Sequence, residues 1–154
     1  MEETMDRAQL AEIEKNISLE AATIAAQAAI NHAESIGIRV NVAVVDRSGV
    51  LVAFLRMTGS HLHSVEIAQD KAYTAVSFGR NTDEWNAILE SRNLTLRYGL
   101  MNRPNFAGFG GGLVIICDGD RLGAIGVSGG SETQDIECAQ SGLKAIGLFP
   151  LTDH

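Results

Sequence analysis

Two histidines separated by a single residue, His61 and His63, are the side chains in this sequence best suited to chemistry. They lie in the predicted loop between an apolar segment that ends at Met57 and a helical segment that begins at Ser64. Imidazoles at this spacing can ligate a metal or haem iron, or transfer a proton near neutral pH. A pair of solvent-facing loop histidines explains the same pattern. No third and fourth ligand at a recognised spacing completes a zinc site.

Charged side chains in the following helical segment add to this set. Glu66 and Asp70 are like charges one helical turn apart, where they repel each other. Lys71 has apolar neighbours, and a partly buried lysine can bind an anion or act as a base if its pKa falls. The structural alternative is a lysine whose ammonium pairs with a carboxylate. The candidate catalytic residues are therefore His61, His63, Lys71 and Glu66.

A second set of residues is suited to holding a ligand. Asp46 and Arg56 end two apolar segments, where they predict either a turn contact or ion pair, or an arginine fork that binds a carboxylate or propionate. Arg103 and Phe106 precede a glycine-rich stretch, whose main-chain N–H groups could hold an oxyanion and whose lack of side chains permits close approach. The candidate ligand-binding residues are Asp46, Arg56, Arg103, Phe106, Gly110, Gly111, Gly112 and Asp135.

Two more candidates lie near predicted helix ends. His32 is near the C-terminus of the first helix, where a protonated imidazole is favoured, and it is a candidate axial ligand for haem. Asp135 and Glu132 occupy the first turn of the last helix, where they complement the helix dipole and would repel a phosphate. The glycines before them match neither the dinucleotide nor the mononucleotide spacing. This turn therefore does not predict a phosphate site.

The elements that must position these residues follow from apolar spacing, caps and glycine turns. Helices are predicted over 18–37 and 64–79, from Asn81 and from Ser131, and hairpins over 40–57 and 112–129. The segment 93–109 is irregular and predicts a loop with about one turn of helix. The hairpins imply an antiparallel sheet. Because their strands are apolar on both sides, the chain is predicted to be an α+β sandwich of about five strands flanked by helices.

Composition excludes several classes of protein. The 154 residues carry a net charge of −7 with no run of Lys or Arg, which argues against binding nucleic acid or anionic lipid. No apolar stretch reaches about 18 residues, so no membrane span is expected. Residues 1–17 predict an acidic arm or short helix that lacks the pattern of a signal peptide. With Cys117 and Cys138 far apart in different settings, these features predict a reduced, cytoplasmic protein with a single domain over 1–154.

The order of motifs resembles the GlcG/HbpS-like family over roughly Leu19 to Gly147. The motifs are AVVDRSGVLVAFLRM, IAQDKAYTA, GGLVIICDGDRLGAIGVSGG and QDIECAQSGL. The family takes its names from a glycolate-operon protein and a haem-binding extracellular protein, and the C-terminal domain of the PduO cobalamin adenosyltransferases is similar. The resemblance implies a profilin-like sheet, assembly as a homo-dimer or higher oligomer, and a link to haem binding or degradation.

One departure from the family pattern falls after the second strand. The family usually reads R-M-D-G-A there, whereas this chain has Arg56 and Met57 followed by Thr58, Gly59 and Ser60, and then His-Leu-His. The missing acid implies a modified pocket.

Three functional hypotheses remain open. The first is a protein that binds a small ligand, haem or a related tetrapyrrole, although the chain has no C-x-x-C-H attachment motif and few aromatic residues. The second is a cofactor-independent isomerase, tautomerase or hydrolase of a small carboxylated metabolite, with His61 or His63 as acid and base and Arg56, Lys71 or Arg103 as anchor. The third is an oligomeric accessory protein without chemistry.

Overall fold

A computed structural model describes residues 2–148 as an antiparallel sheet with helices on both faces. The strands are β1 (Asn41–Asp46), β2 (Leu51–Arg56), β3 (Gly112–Cys117) and β4 (Asp120–Ser128). The helices are α1 (Leu19–Ser35), α2 (His63–Phe78), α3 (Trp85–Glu90), α4 (Leu94–Met101) and α5 (Glu132–Ala145). The predicted α+β class is confirmed, and the sheet formed within residues 2–148 has four strands rather than about five.

The two predicted hairpins form one sheet because β1 of the first pairs with β4 of the second. Its order is β2-β1-β4-β3, and all pairs are antiparallel. At the central pair, Asn41 lies opposite Ser128 and Asp46 lies opposite Gly123. β1 is buried on both faces because it has a strand on either side and helices above and below, whereas β2 is a partly exposed edge.

Alternate residues of β1 face different helices, as the two-residue period of a strand requires. Val42 and Val44 belong to a core shared with α1 and α5, while Ala43 and Val45 belong to a second core under α2. The α1 side of the first core is made of alanines that are completely buried: Ala22, Ala25, Ala26, Ala29 and Ala33. These small side chains let α5 approach closely enough that a Cβ on Gly142 would lie 2.8 Å from the Ala25 carbonyl oxygen.

The contact between α2 and β4 is closer still. A Cβ built on Gly126 would overlap the carbonyl oxygen of Ala68 and lie 2.6 Å from the backbone nitrogen of Ala72. The backbone of α2 therefore packs directly on the backbone of β4. This contact places the middle of α2, which carries Lys71, against the sheet.

Two local predictions were wrong. α2 begins at His63 rather than after Ser64, so His63 belongs to the helix and not to the loop; the buried Ser64 hydroxyl accepts a hydrogen bond from Ser128 Oγ at 3.1 Å instead of capping the helix. The irregular segment contains the eight-residue α4, whose N-terminus is capped by the Asn93 side chain accepting from the Leu96 N–H at 2.9 Å. α4 is short and buries none of its residues, and its apolar residues at 94, 96, 98 and 100 alternate, a spacing that does not mark one helix face in the sequence.

Over residues 2–18 the N-terminal arm forms one 3-10 turn, at Arg7–Gln9, and otherwise has no regular secondary structure. It is attached where the Ile17 N–H donates to the Leu122 carbonyl at 3.0 Å and where Lys15 pairs with Asp120 at 3.1 Å. None of the helices within 2–148 is both long and apolar enough to cross a membrane.

Candidate functional site

An apolar cleft lies between α3, α4 and the segment 106–109, and we call it the α4 cleft. Its volume is about 380 Å³, which is within the usual range for small-molecule sites. The lining residues are Asn86, Leu89, Glu90, Arg97, Met101, Phe106, Gly108 and Phe109. Most of this surface is apolar, and its polar positions are one amide, one carboxylate and one guanidinium, on Asn86, Glu90 and Arg97.

α4 presents Arg97 and Met101 to the cleft from positions one helical turn apart. The Arg97 Nε is shielded from solvent and has no hydrogen-bond partner among the described residues. A buried donor on a charged group is costly when unpaired, and such groups mark places where a partner is expected. The Met101 side chain is 58% exposed, so its thioether is not used in the core.

The opposite wall of the cleft is an aromatic cluster. Phe106 packs edge-on against Trp85 with ring centroids 5.1 Å apart, and Phe78 packs edge-on against both rings. Gly108 packs tightly against this cluster, because a Cβ there would lie 2.9 Å from the Phe106 ring and 3.2 Å from the Trp85 Cβ. The wall is thus formed by the protein's own packing.

Hydrogen bonds fix the segment 105–112 that carries this wall. Thr74 Oγ1 on α2 donates to the Asn105 carbonyl at 3.0 Å and accepts from the Ala107 N–H at 2.9 Å. The Gly110 N–H donates to Glu132 Oε1 at 3.0 Å. The Gly112 N–H donates to Thr82 Oγ1 at 2.8 Å. Two of the glycine N–H groups considered for an oxyanion are therefore directed at the protein's own oxygen atoms.

A buried ion pair lies behind the glycine-rich segment. Lys71 Nζ is 3.0 Å from Asp135 Oδ2 and donates to the Val127 carbonyl at 2.8 Å, while Asp135 Oδ1 accepts from the Gly130 N–H at 2.8 Å. The two side chains are only 1% and 4% exposed. The Phe109 ring covers the ammonium, with its centroid 5.1 Å from Nζ. The structural pairing considered for Lys71 is thus present, with Asp135 as its partner.

Burial dominates the acid–base behaviour of both members of this pair. Loss of hydration lowers the pKa of Lys71 below its ordinary value, although the neighbouring Asp135 carboxylate opposes that shift. Burial likewise raises the pKa of Asp135, and the Lys71 ammonium opposes this second shift. The attraction between the two charges therefore does not fully offset the free energy lost when both groups leave water.

Gly111 shows why the glycine-rich segment needs its glycines. Its φ of +129° is one that residues with side chains rarely adopt, and a Cβ there would lie 2.7 Å from Lys71 Nζ. The backbone of Gly111 therefore closes over the ion pair.

The remaining catalytic candidates lie apart from the ion pair. His61, His63 and Glu66 are exposed, and Glu66 lines a separate cavity of about 370 Å³ with Asp70 and Tyr73. Burial, followed by repulsion from Glu66, raises the pKa of Asp70. Within residues 2–148 no three His, Cys, Asp or Glu side chains cluster in a way that could hold a metal ion.

Several ligand-binding candidates make local contacts. Asp46 Oδ1 accepts from the Ser48 and Val50 N–H groups at 2.9 and 3.0 Å, so it stabilises the β1–β2 turn. Arg56 is exposed and donates from one terminal nitrogen to the Ser60 carbonyl at 3.1 Å.

Arg103 and His32 complete the set. Arg103 is exposed and lines a smaller cavity of about 180 Å³ with Tyr73 and Phe106. His32 Nε2 lies 3.6 Å from Glu137 Oε2, between α1 and α5, and is shielded from solvent.

The structure adds Arg97, Met101 and Leu89, which sequence reasoning did not select. The signal that could have found them is the four-residue spacing of Arg97 and Met101 after the cap residue Asn93. That spacing carries information only once a helix is predicted there.

Comparison with known proteins identifies the family. The family model described as "Haem degrading protein HbpS-like" matches residues 17–144. The chain belongs to the HbpS-like family. The predicted resemblance is confirmed, and it covers nearly the whole chain.

Relatives of this HbpS-like chain include both sequences and solved structures. It is 34% identical over 124 residues to the corrinoid adenosyltransferase PduO of Salmonella typhimurium, covering 79% of this chain but 36% of that enzyme. A PduOC:haem complex superimposes with a TM-score of 0.81 at 30% identity, covering 89% of this chain and 99% of the other. A double mutant of HbpS from Streptomyces reticuli gives 0.80 at 32%, covering 94% and 96%. The chain thus spans about a third of the length of the adenosyltransferase.

Proposed function

We propose that this HbpS-like protein binds haem or a related tetrapyrrole in the α4 cleft. The observation that carries the proposal is an apolar cleft in which the Arg97 Nε is buried without a partner among residues 2–148. A solved relative with the same fold is described as a haem complex. Arg97 was not among the arginines predicted as propionate anchors, so the proposal moves that role from Arg56 and Arg103 to Arg97.

The residues of the cleft fit the chemistry of a porphyrin. A flat apolar ring can lie against Leu89, Phe106 and Phe109, whose side chains would shield it from water. Two carboxylates extend from one edge of the ring, and the planar guanidinium of Arg97 is suited to one of them. Bound haem supplies a redox-active iron.

The enzyme hypothesis has less support from the geometry. It requires an imidazole placed beside a cationic anchor, yet His61 and His63 are exposed and neither imidazole forms a hydrogen bond or ion pair with another group in 2–148. The candidate base Lys71 is held by Asp135 and Val127. We therefore propose ligand binding. Homo-oligomeric assembly and a cytoplasmic location stay predictions.

Replacing Arg97 by glutamine should weaken haem binding about 10- to 100-fold, because a charged hydrogen bond contributes roughly 1.5–3 kcal/mol. The measurement is a haem titration followed by visible absorption, with wild type expected to saturate at one haem per chain. Arg92→Gln is the matched control, since Arg92 is exposed and does not line the cleft.

Two results would contradict this proposal. One is absorbance that never saturates in the wild type. The other is an unchanged affinity in Arg97→Gln together with a large loss in a His61→Ala/His63→Ala variant or in Arg56→Gln, which would place the ligand at the start of α2.

A further inference from the structure

We infer that the thioether sulfur of Met101 is the protein ligand to the iron of haem bound in the α4 cleft, an inference that rests on the proposed function. Proteins hold haem iron through His, Cys, Met or Tyr side chains. Of the eight residues that line the cleft, Met101 alone belongs to that set. Its sulfur also has no competing role, because α4 buries none of its residues.

The spacing on α4 suits this assignment. Met101 follows Arg97 by four positions, so their backbones lie about 6 Å apart along the same side of the helix. A tetrapyrrole carries its carboxylates at one edge and its metal at the centre. A cationic anchor and a metal ligand must therefore be different side chains, displaced from each other along the wall of the site, as Arg97 and Met101 are.

The oxygen atoms of the cleft, on Glu90 and Asn86, are less suited to this role. Glu90 is a carboxylate, a hard oxygen ligand, whereas the soft thioether is a known axial ligand of haem iron. The histidines in the described residues are outside the cleft lining, and His32 lies between α1 and α5. Glu90 and the histidines are therefore the alternative iron ligands that the experiment must distinguish from Met101.

The side chain that binds the iron affects the reduction potential of the haem, which can be measured. Methionine ligation raises the reduction potential of haem iron relative to histidine ligation. We therefore expect the haem bound to wild type to have a higher reduction potential than the haem bound to a variant with an imidazole at position 101. This property can be measured on the bound protein without any assay of activity.

The test compares Met101→Leu and Met101→His with wild type after haem loading. Leucine keeps the size and apolar character of the side chain but removes the sulfur, and Met101 is exposed, so the fold should be unaffected. We expect the sulfur-to-iron charge-transfer absorption of the ferric protein to be lost in Met101→Leu, with an affinity at least tenfold lower, and the potential to fall in Met101→His. Met5→Leu is the control, because Met5 is an exposed methionine on the N-terminal arm.

The outcomes separate this inference from the proposed function. If wild type binds one haem and Met101→Leu has the same spectrum and affinity, Met101 is not the iron ligand, but haem binding stands. The same holds if the spectrum changes instead in Glu90→Gln or in a histidine variant. Wild type that shows no saturable binding overturns both.

Discussion

Replacing Lys71 by methionine is expected to lower the free energy of unfolding by about 3–5 kcal/mol. Methionine fills a similar volume, but it leaves the Asp135 carboxylate buried at 4% exposure without its cation. The Val127 carbonyl loses its donor as well. Breaking a buried pair from one side is far more costly than removing it altogether, because an uncompensated charge stays in a region of low polarity.

Urea unfolding followed by circular dichroism measures this effect, and a double variant makes it specific. Lys71→Met/Asp135→Leu should recover part of the loss, because no uncompensated charge then stays buried, while the Val127 carbonyl and the Gly130 N–H still lack the hydrogen bonds that the pair made. Lys144→Met, at an exposed position on α5, should change stability by less than about 0.5 kcal/mol. A single Lys71→Met variant as stable as Lys144→Met would show that the pair has no such role.

The pH dependence of the same variants has a defined sign. Because the pKa of Asp135 is raised in the fold, its contribution to stability is present at low pH and is lost as pH rises from 3.8 through the folded value. Because the pKa of Lys71 is lowered, stability is regained as pH rises from the folded value towards 10.5. Both dependences should be absent from the double variant.

The second large effect is expected from Gly126→Ala, which should lower the free energy of unfolding by about 3 kcal/mol or more. The added Cβ overlaps the Ala68 carbonyl oxygen and lies 2.6 Å from the Ala72 nitrogen. Both are backbone atoms of α2, so no rotamer change relieves the contact. α2 must move away from β4 and open the core between them.

Gly99→Ala is the matched control for this substitution. Gly99 is inside α4, and the position that a Cβ would occupy there has open space around it, with no atom of a neighbouring element within 4 Å. Alanine should therefore stabilise the protein by about 0.5–1 kcal/mol through its helix propensity. The comparison uses the same unfolding measurement. A Gly126→Ala variant that unfolds at the same urea concentration as wild type would refute the tight packing described for α2.

Features encoded within a few residues could be predicted from the sequence. The Ser131–Gln134 capping box at the start of α5 is present, as is that formed by Asn81 and Glu84. The turns at Gly49 and Gly119 define the two hairpins, and both glycines have positive φ. These elements depend on local hydrogen bonds and backbone conformation, which a short stretch of sequence specifies.

The candidate site could be predicted only in part. The apolar neighbours of Lys71 distinguish it in the sequence, but its partner Asp135 is distant in the chain and meets it only after β4 is placed beside β1. The glycine-rich context of Phe106 is visible in the sequence, whereas Arg97 and Met101 belong to a helix whose exposed apolar residues lie on several sides. Long-range pairing and unpartnered surface are properties of the assembled fold, so periodicity does not reveal them.

Thr74 holds the aromatic side of the α4 cleft by binding both Asn105 and Ala107. A wall that is already ordered loses little conformational entropy when a ligand settles on it, so affinity there depends on contacts rather than on the ordering of a loop. α4, in contrast, buries no residue against the body of the protein. The ligand proposed above would therefore meet one wall that is held in place by hydrogen bonds and, opposite it, a helix with no buried residue.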